Sequence, residues 1–257
     1  MPGWIRGCAM SEPRLDEAEQ DGAGRWRSPA WKTWRRLRNH RLFMTGLILF
    51  GLVAVMALAA GFLAPHPPNQ NNFRYRLGAP TETYLLGTDG FGRDVLSRVL
   101  YGARVSLRIG LMVVILNGIL GTFIGSTAGY FRRLDNPIMR LMDGLMAFPA
   151  ILLAIALAAA LGASEINVVL ALTAAYAPRT ARIVRASVLV IREMEYVQAA
   201  VAAGAGYLRI LFRHILTNSM APLIVQLTFI FAVSVLAEAV LSFIGVGPPP
   251  PTPTWGN

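Results

Sequence analysis

Cysteine is almost missing from this chain: Cys8 is the single one in 257 residues. That excludes an internal disulfide framework and a thiolate metal cluster. Charge is scarce too, at 15% of residues against about a quarter in an ordinary soluble domain. The three histidines, His40, His66 and His214, fall in separate segments, so no metal site and no cofactor are expected. No HExxH and no GxSxG is present, and the glycine-rich run Gly87–Gly92 is not followed by Lys-Ser or Lys-Thr. The chain therefore has no phosphate-binding P-loop, no catalytic residues are expected, and the glycine run reads as turns. Acidic residues number 14 against 24 basic ones, a net charge of +10. A nucleic-acid binder would carry that excess on a soluble fold. Here the basic residues sit between apolar blocks, which reads as membrane topology and not as nucleic-acid contact.

What the sequence does have is apolar length: 54% of residues are hydrophobic, gathered in long runs. Leu42–Ala64 holds 23 residues without a charge. At 1.5 Å per residue it reaches about 34 Å, enough to cross a hydrocarbon core of roughly 30 Å. It starts too far along, and runs too long, for a cleavable signal peptide. Pro65, Pro67 and Pro68 stop it. A second span is expected near Val105–Gly129, where Gly121, Gly125 and Gly129 line one side and let another backbone come close. A third is expected at about Leu141–Leu161, kinked by Pro149. A fourth covers Ile166–Ile191, with Arg179, Arg182 and Arg185 crowding its second half. A fifth covers Met220–Val246, capped by Asn218 or Ser219, and the tail Pro248–Pro251 is expected to be extended. Glu238 lies deep in the fifth span. An ionisable group there is costly to bury, so it serves either a pathway contact or a hydrogen bond that locks helix packing.

Residues 1–24 are too polar to bury a core and are expected to be disordered. The stretch 25–41 mixes Trp26, Trp31 and Trp34 with arginines, as a helix in the lipid headgroup layer does. Segments 1–41, 130–144 and 179–213 hold 18 Arg and Lys, against 6 between Arg74 and Arg108. This split places the N-terminus in the cytoplasm, the loop 65–104 outside and the segment 192–218 inside.

That inner segment is the most informative one. Glu195–Leu216 is too apolar for a solvated loop and too interrupted to span. Tyr196, Ala199, Ala200, Ala203 and Tyr207 follow a helical period and form one small-plus-aromatic face, and Gly204-Ala205-Gly206 allows a sharp turn into a second short helix. Such a helix suits a groove on a partner protein, or rests on lipid; the residues alone leave both open.

Three stretches resemble one family. Residues 195–222, EYVQAAVAAGAGYLRILFRHILTNSMAP, are similar to the coupling loop of bacterial ATP-binding-cassette importer permeases, whose pattern is EAA, three residues, then Gly. Residues 87–108, GTDGFGRDVLSRVLYGARVSLR, and 237–256, AEAVLSFIGVGPPPPTPTWG, resemble segments of the dipeptide, oligopeptide and nickel branch. The departures are Gln198, where that family usually has Glu, and Thr217, where it usually has Pro.

The resemblance implies an all-α, polytopic helical bundle of the type I importer permease kind. Five spans lie in the given sequence. A sixth is expected in the family after the Trp-Gly-Asn found here at Trp255-Gly256-Asn257, so a last helix is expected to be missing. It implies a cytoplasmic tail at 1–31, an anchor helix and outer loop at 32–104, and a permease core at 105–257, in a bacterial inner membrane. It implies ATPase coupling through Glu195, Tyr196, Gln198, Ala199, Ala200, Gly204 and Tyr207. The partners it implies are a second homologous permease subunit, two ATPase subunits, an extracytoplasmic substrate-binding protein and membrane lipid. ATP hydrolysis would lie in the partners, and peptides would cross by alternating access. Import of nickel or another small solute, an ATP-independent transporter or channel, and a scaffold that carries no solute are the competing readings.

Overall fold

The computed structural model describes residues 37–257. The tail 1–24 and most of the stretch 25–41 lie outside the described residues. Two compact units divide the chain after Leu52. In the first, the helix α1 (Arg41–Leu58) begins; its opening turn is held by Phe43 N–H on His40 Nδ1 at 3.3 Å.

The second unit holds α2 (Ala60–Leu63), α3 (Val95–Tyr130), α4 (Arg132–Met146), α5 (Ala150–Leu161) and α6 (Glu165–Ile191). It continues with α7 (Glu195–Ala202), α8 (Tyr207–Arg209) running on as a π-helix through Ile210–Leu216, and α9 (Met220–Phe243). Among the described residues there is no strand, only an isolated bridge between Thr88 and Asp94. α1, α3 and α9 are each long and apolar enough to cross a membrane, and α4 with α5 makes a fourth such stretch bent by 88°. Large apolar side chains such as Phe62, 95% exposed, and Phe243, 81% exposed, face outward from the bundle. This is a multi-pass, all-α membrane protein.

α3 begins ten residues before the expected start of the second span, because Asp94 caps it: Oδ2 accepts from Ser97 N–H at 3.2 Å and Ser97 Oγ at 2.5 Å. The expected third span is two helices, since Pro149 ends the first ladder altogether instead of kinking one continuous helix. Ser219 does not cap α9; its hydroxyl donates back to the Ile215 carbonyl at 2.9 Å, as the preceding helix runs almost straight into α9. Nor is Pro248–Pro251 simply extended: Thr252 N–H closes a turn on the Pro249 carbonyl at 3.2 Å.

α3 and α6 form the central pair. Lipid tails are as apolar as leucine, so helices associate in a membrane through close packing and polar pairs. A methyl on Gly121 would stand 2.5 Å from Thr180 Cγ2, and one on Gly129 2.8 Å from Val188 Cβ. One on Gly125 would run into the Ala181 carbonyl oxygen. At Gly125 backbone lies on backbone, and at Gly121 and Gly129 the side chains of Thr180 and Val188 fill the space. α4 is fastened to the same helix by ion pairs of Arg185 with Asp135 and Arg182 with Asp143, which accounts for two of the arginines crowding α6. α9 closes the bundle, with Ile230, Ala237 and Leu241 joining Val105, Ile109, Val113, Val168 and Leu172 in one buried cluster.

Candidate functional site

Beyond Ile191 the chain makes two turns that present α7 at one end of the bundle. α7 offers one residue to the interior: Val197, 2% exposed, joins Val184, Val188, Ile191, Ile210, Ile215 and Leu223. Every other side chain of the helix is exposed except the half-buried Ala200. The expected coupling residues Glu195, Tyr196, Gln198 and Ala199 therefore stand on its open surface.

The turn after α7 has a definite geometry. Ala205 N–H reaches back to the Ala200 carbonyl at 3.0 Å and Gly204 N–H to the Val201 carbonyl at 2.9 Å. Gly204 has φ +80°. These are the bonds of a Schellman close, which needs a left-handed residue where glycine carries no penalty. Tyr207 lies past this turn, so it does not share a helical face with Tyr196, Ala199 and Ala200. Its ring meets Phe131 edge-on at 6.3 Å instead.

Two side-chain hydrogen bonds tie α7 to its own chain. Tyr196 Oη accepts from Asn218 Nδ2 at 3.0 Å. Gln198 Nε2 donates to the Arg192 carbonyl at 2.9 Å. Arg192 Nη1 donates in turn to the Gly129 carbonyl, at 2.8 Å, at the end of α3. Thr217 donates its hydroxyl to the carbonyl of Phe212 at 3.2 Å, five residues back, in step with the π-helix before it. Val197 and Arg192 were not singled out from the sequence. Val197 is the lone aliphatic residue between Tyr196 and Gln198, and Arg192 directly follows the last apolar turn of α6; both signals were there to be read.

At the other end of the bundle, Glu238 is fully buried. Its Oε2 accepts from Ser106 Oγ and its Oε1 from Ser242 Oγ, both at 2.6 Å. Trp255 N–H lies 3.3 Å from the same Ser106 Oγ, and Trp255 Nε1 donates to the Val99 carbonyl at 3.2 Å. Arg98 Nη2 donates to Asn257 Oδ1 at 3.0 Å. The stretches 87–108 and 237–256, read separately in the sequence, thus meet around one carboxylate. Ser106 and Ser242, which hold it, gave no sequence signal beyond lying in those stretches.

An open helical elbow at one end and a zipped polar knot at the other thus sit on a glycine-packed, apolar bundle. Residues 118–257 match the family model described as binding-protein-dependent transport system inner membrane component. Residues 28–80 match the N-terminal TM domain of oligopeptide transport permease C. The chain belongs to the family of binding-protein-dependent transport system inner membrane components. A Brucella abortus protein provisionally named a peptide transport system permease is 55% identical over 231 residues, covering 90% of this chain and 78% of the relative. The dipeptide transport system permease protein DppC of Alkalihalophilus pseudofirmus is 41% identical over 231 residues, 90% of this chain and 76% of the relative. The glutathione transport system permease protein GsiD of Pectobacterium atrosepticum is 41% identical over 234 residues, 90% of this chain and 77% of the relative.

Proposed function

We propose that this chain forms part of the translocation path of an ATP-driven importer of di- and oligopeptides. It pairs with a second homologous permease subunit. Two ATPase subunits dock on the cytoplasmic side, a substrate-binding protein delivers peptide from outside, and lipid surrounds the bundle. The N-terminal segment 1–31 lies in the cytoplasm, 32–104 supplies the anchor helix and outer loop, and 105–257 is the permease core. Relatives named for peptides, dipeptides and glutathione, itself a tripeptide, support the cargo class.

The observation that carries the reading is the way α7 is mounted. Val197 pins it, its surface with Glu195, Tyr196, Gln198 and Ala199 stays open, and the Gln198–Arg192–Gly129 chain leads from it to the α3–α6 pair. A motor pushing on α7 acts on the bundle through this linkage and shifts the balance between inward- and outward-open states. Only a push that interacts differently with the two states can do that. Glu238 belongs to the packing of the outer end.

Peptide uptake and its coupling to ATP hydrolysis, measured for Gly204→Trp in an assembled complex, test the lever. A side chain at φ +80° is strained by about 1–2 kcal/mol and reshapes the elbow. Uptake per ATP is expected to fall sharply; unchanged coupling removes α7 from this role.

A further inference from the structure

A cavity of about 330 Å³ opens at the bend between α4 and α5, walled by residues 145–150 and by Ala175, Tyr176 and Arg179 of α6. The polar groups that reach it have no acid to answer them. Arg182 and Arg185, one and two turns further on, are paired with Asp143 and Asp135. Arg179 is exposed and has no carboxylate within ion-pair distance among the described residues. Tyr176 is only 5% exposed, lines the cavity, and makes no hydrogen bond among the described residues. α5 starts at the same place, with Pro149 as its N-cap and no side-chain acceptor there. The first N–H groups of that helix, its positive end, are thus left without a side-chain partner.

From Glu165 to Arg179 the axis of α6 advances about 21 Å, past the apolar stretch 166–177, so the cavity lies toward the end of α6 that carries Arg182 and Arg185. An unpaired guanidinium, the hydroxyl of a buried tyrosine and a positive helix end, with Leu145, Met146 and Phe148 as apolar walls, suit an anion that carries an apolar body. The volume lies at the lower end of small-ligand pockets, roughly 300–1,000 Å³.

We infer that the elbow cavity is a carboxylate subsite of the path, in which Arg179 and Tyr176 take the C-terminal carboxylate of the transported peptide. The inference rests on the peptide-importer reading above. It explains how one subsite can serve many peptides: each presents the same terminal group, whatever its side chains. An arginine grips a carboxylate through two parallel hydrogen bonds.

The test measures initial dipeptide uptake in proteoliposomes by the complete importer, with complex integrity checked by co-elution. R179Q is expected to lower uptake about tenfold to a hundredfold, the loss of a charged hydrogen-bonded contact. R179K, which keeps the charge but not the paired hydrogen bonds, is expected to recover part of it. Y176F keeps the ring and its packing and is expected to lower uptake several-fold; it carries the test if R179Q does not assemble. Unchanged uptake by an intact R179Q complex, or by Y176F where R179Q does not assemble, overturns the inference, as does a loss that R179K does not reduce. A defect that disappears in vesicles of phosphatidylcholine alone assigns Arg179 to anionic lipid and also overturns it. If the unaltered importer takes up no dipeptide, it is the peptide reading itself that fails.

Discussion

Asp89 holds together the loop before α3. Its Oδ1 accepts from Phe91 N–H at 2.8 Å and Arg93 N–H at 2.9 Å, and its Oδ2 from Arg93 Nε at 2.7 Å. Burial pushes its carboxyl up, but the hydrogen bonds from the Arg93 and Phe91 backbones and the Arg93 guanidinium outweigh burial and hold it below 3.8. A carboxyl lowered in the folded loop stabilises that loop fully above its unfolded value and loses the effect as pH falls through the lower folded value. Hydrogen exchange at residues 91–93, corrected for intrinsic rate, should stay slow above pH 3.8 and quicken only on further acidification. Asp89→Asn should remove that acid step, and an unaltered step would disprove the assignment. The sequence marked Gly87–Gly92 as turns, yet it gave no hint that one carboxylate organises them. Gln198 teaches the same lesson. It was noted as a departure from Glu, but its use depends on a donor: the amide gives a hydrogen to the Arg192 carbonyl, which an ionised carboxylate cannot do.

Helices, and the seams between them, follow from spacing where small residues repeat. The four-residue recurrence of Gly121, Gly125 and Gly129 pointed to a close approach, and a methyl on any of these α3 glycines would crowd α6. The partner helix was not legible, because spacing reports a face and not its neighbour. Gly118 provides an internal control. A methyl there would meet Leu227 Cδ1 at 3.3 Å, the flexible tip of a side chain that can turn aside. Gly118→Ala should therefore shift thermal stability in detergent only slightly, while Gly125→Ala, facing a backbone carbonyl, should cost about 1–3 kcal/mol. Equal losses would show that the seam is looser than its geometry. The α4–α5 break was less legible. A proline in an apolar run signals a disturbance, but whether the helix kinks or ends depends on what packs beside it. Here α4 is claimed by the arginines of α6, and the chain turns through 88°. The starting point of α3 was misplaced for a similar reason: hydropathy begins at Val105, whereas the helix begins at its Asp94 cap.

At the scale of the whole molecule, the apolar runs were the clearest signal, because a bilayer sorts side chains more sharply than a soluble core does. The proposed sidedness of the bundle rests on the uneven placement of Arg and Lys, and it can be checked directly. With Cys8 replaced by serine, Ala202→Cys places a lone thiol on the exposed surface of α7. A membrane-impermeant maleimide should label it in inverted vesicles and not in intact cells; labelling from outside intact cells would invert the topology and remove the importer reading. What hydropathy could not convey is the meeting of the 87–108 and 237–256 stretches around Glu238. That meeting depends on three hydroxyl and indole contacts between residues more than 130 positions apart.

The glycine seam also limits how this machine can move. Where Gly125 rests against the Ala181 carbonyl, neither helix can slide without moving a backbone atom, so α3 and α6 are expected to travel together as a single plank. Bending is left to the joints at Ala147–Pro149, Gly162 and Gly204, and a working stroke would swing the plank about those three points without reshaping it.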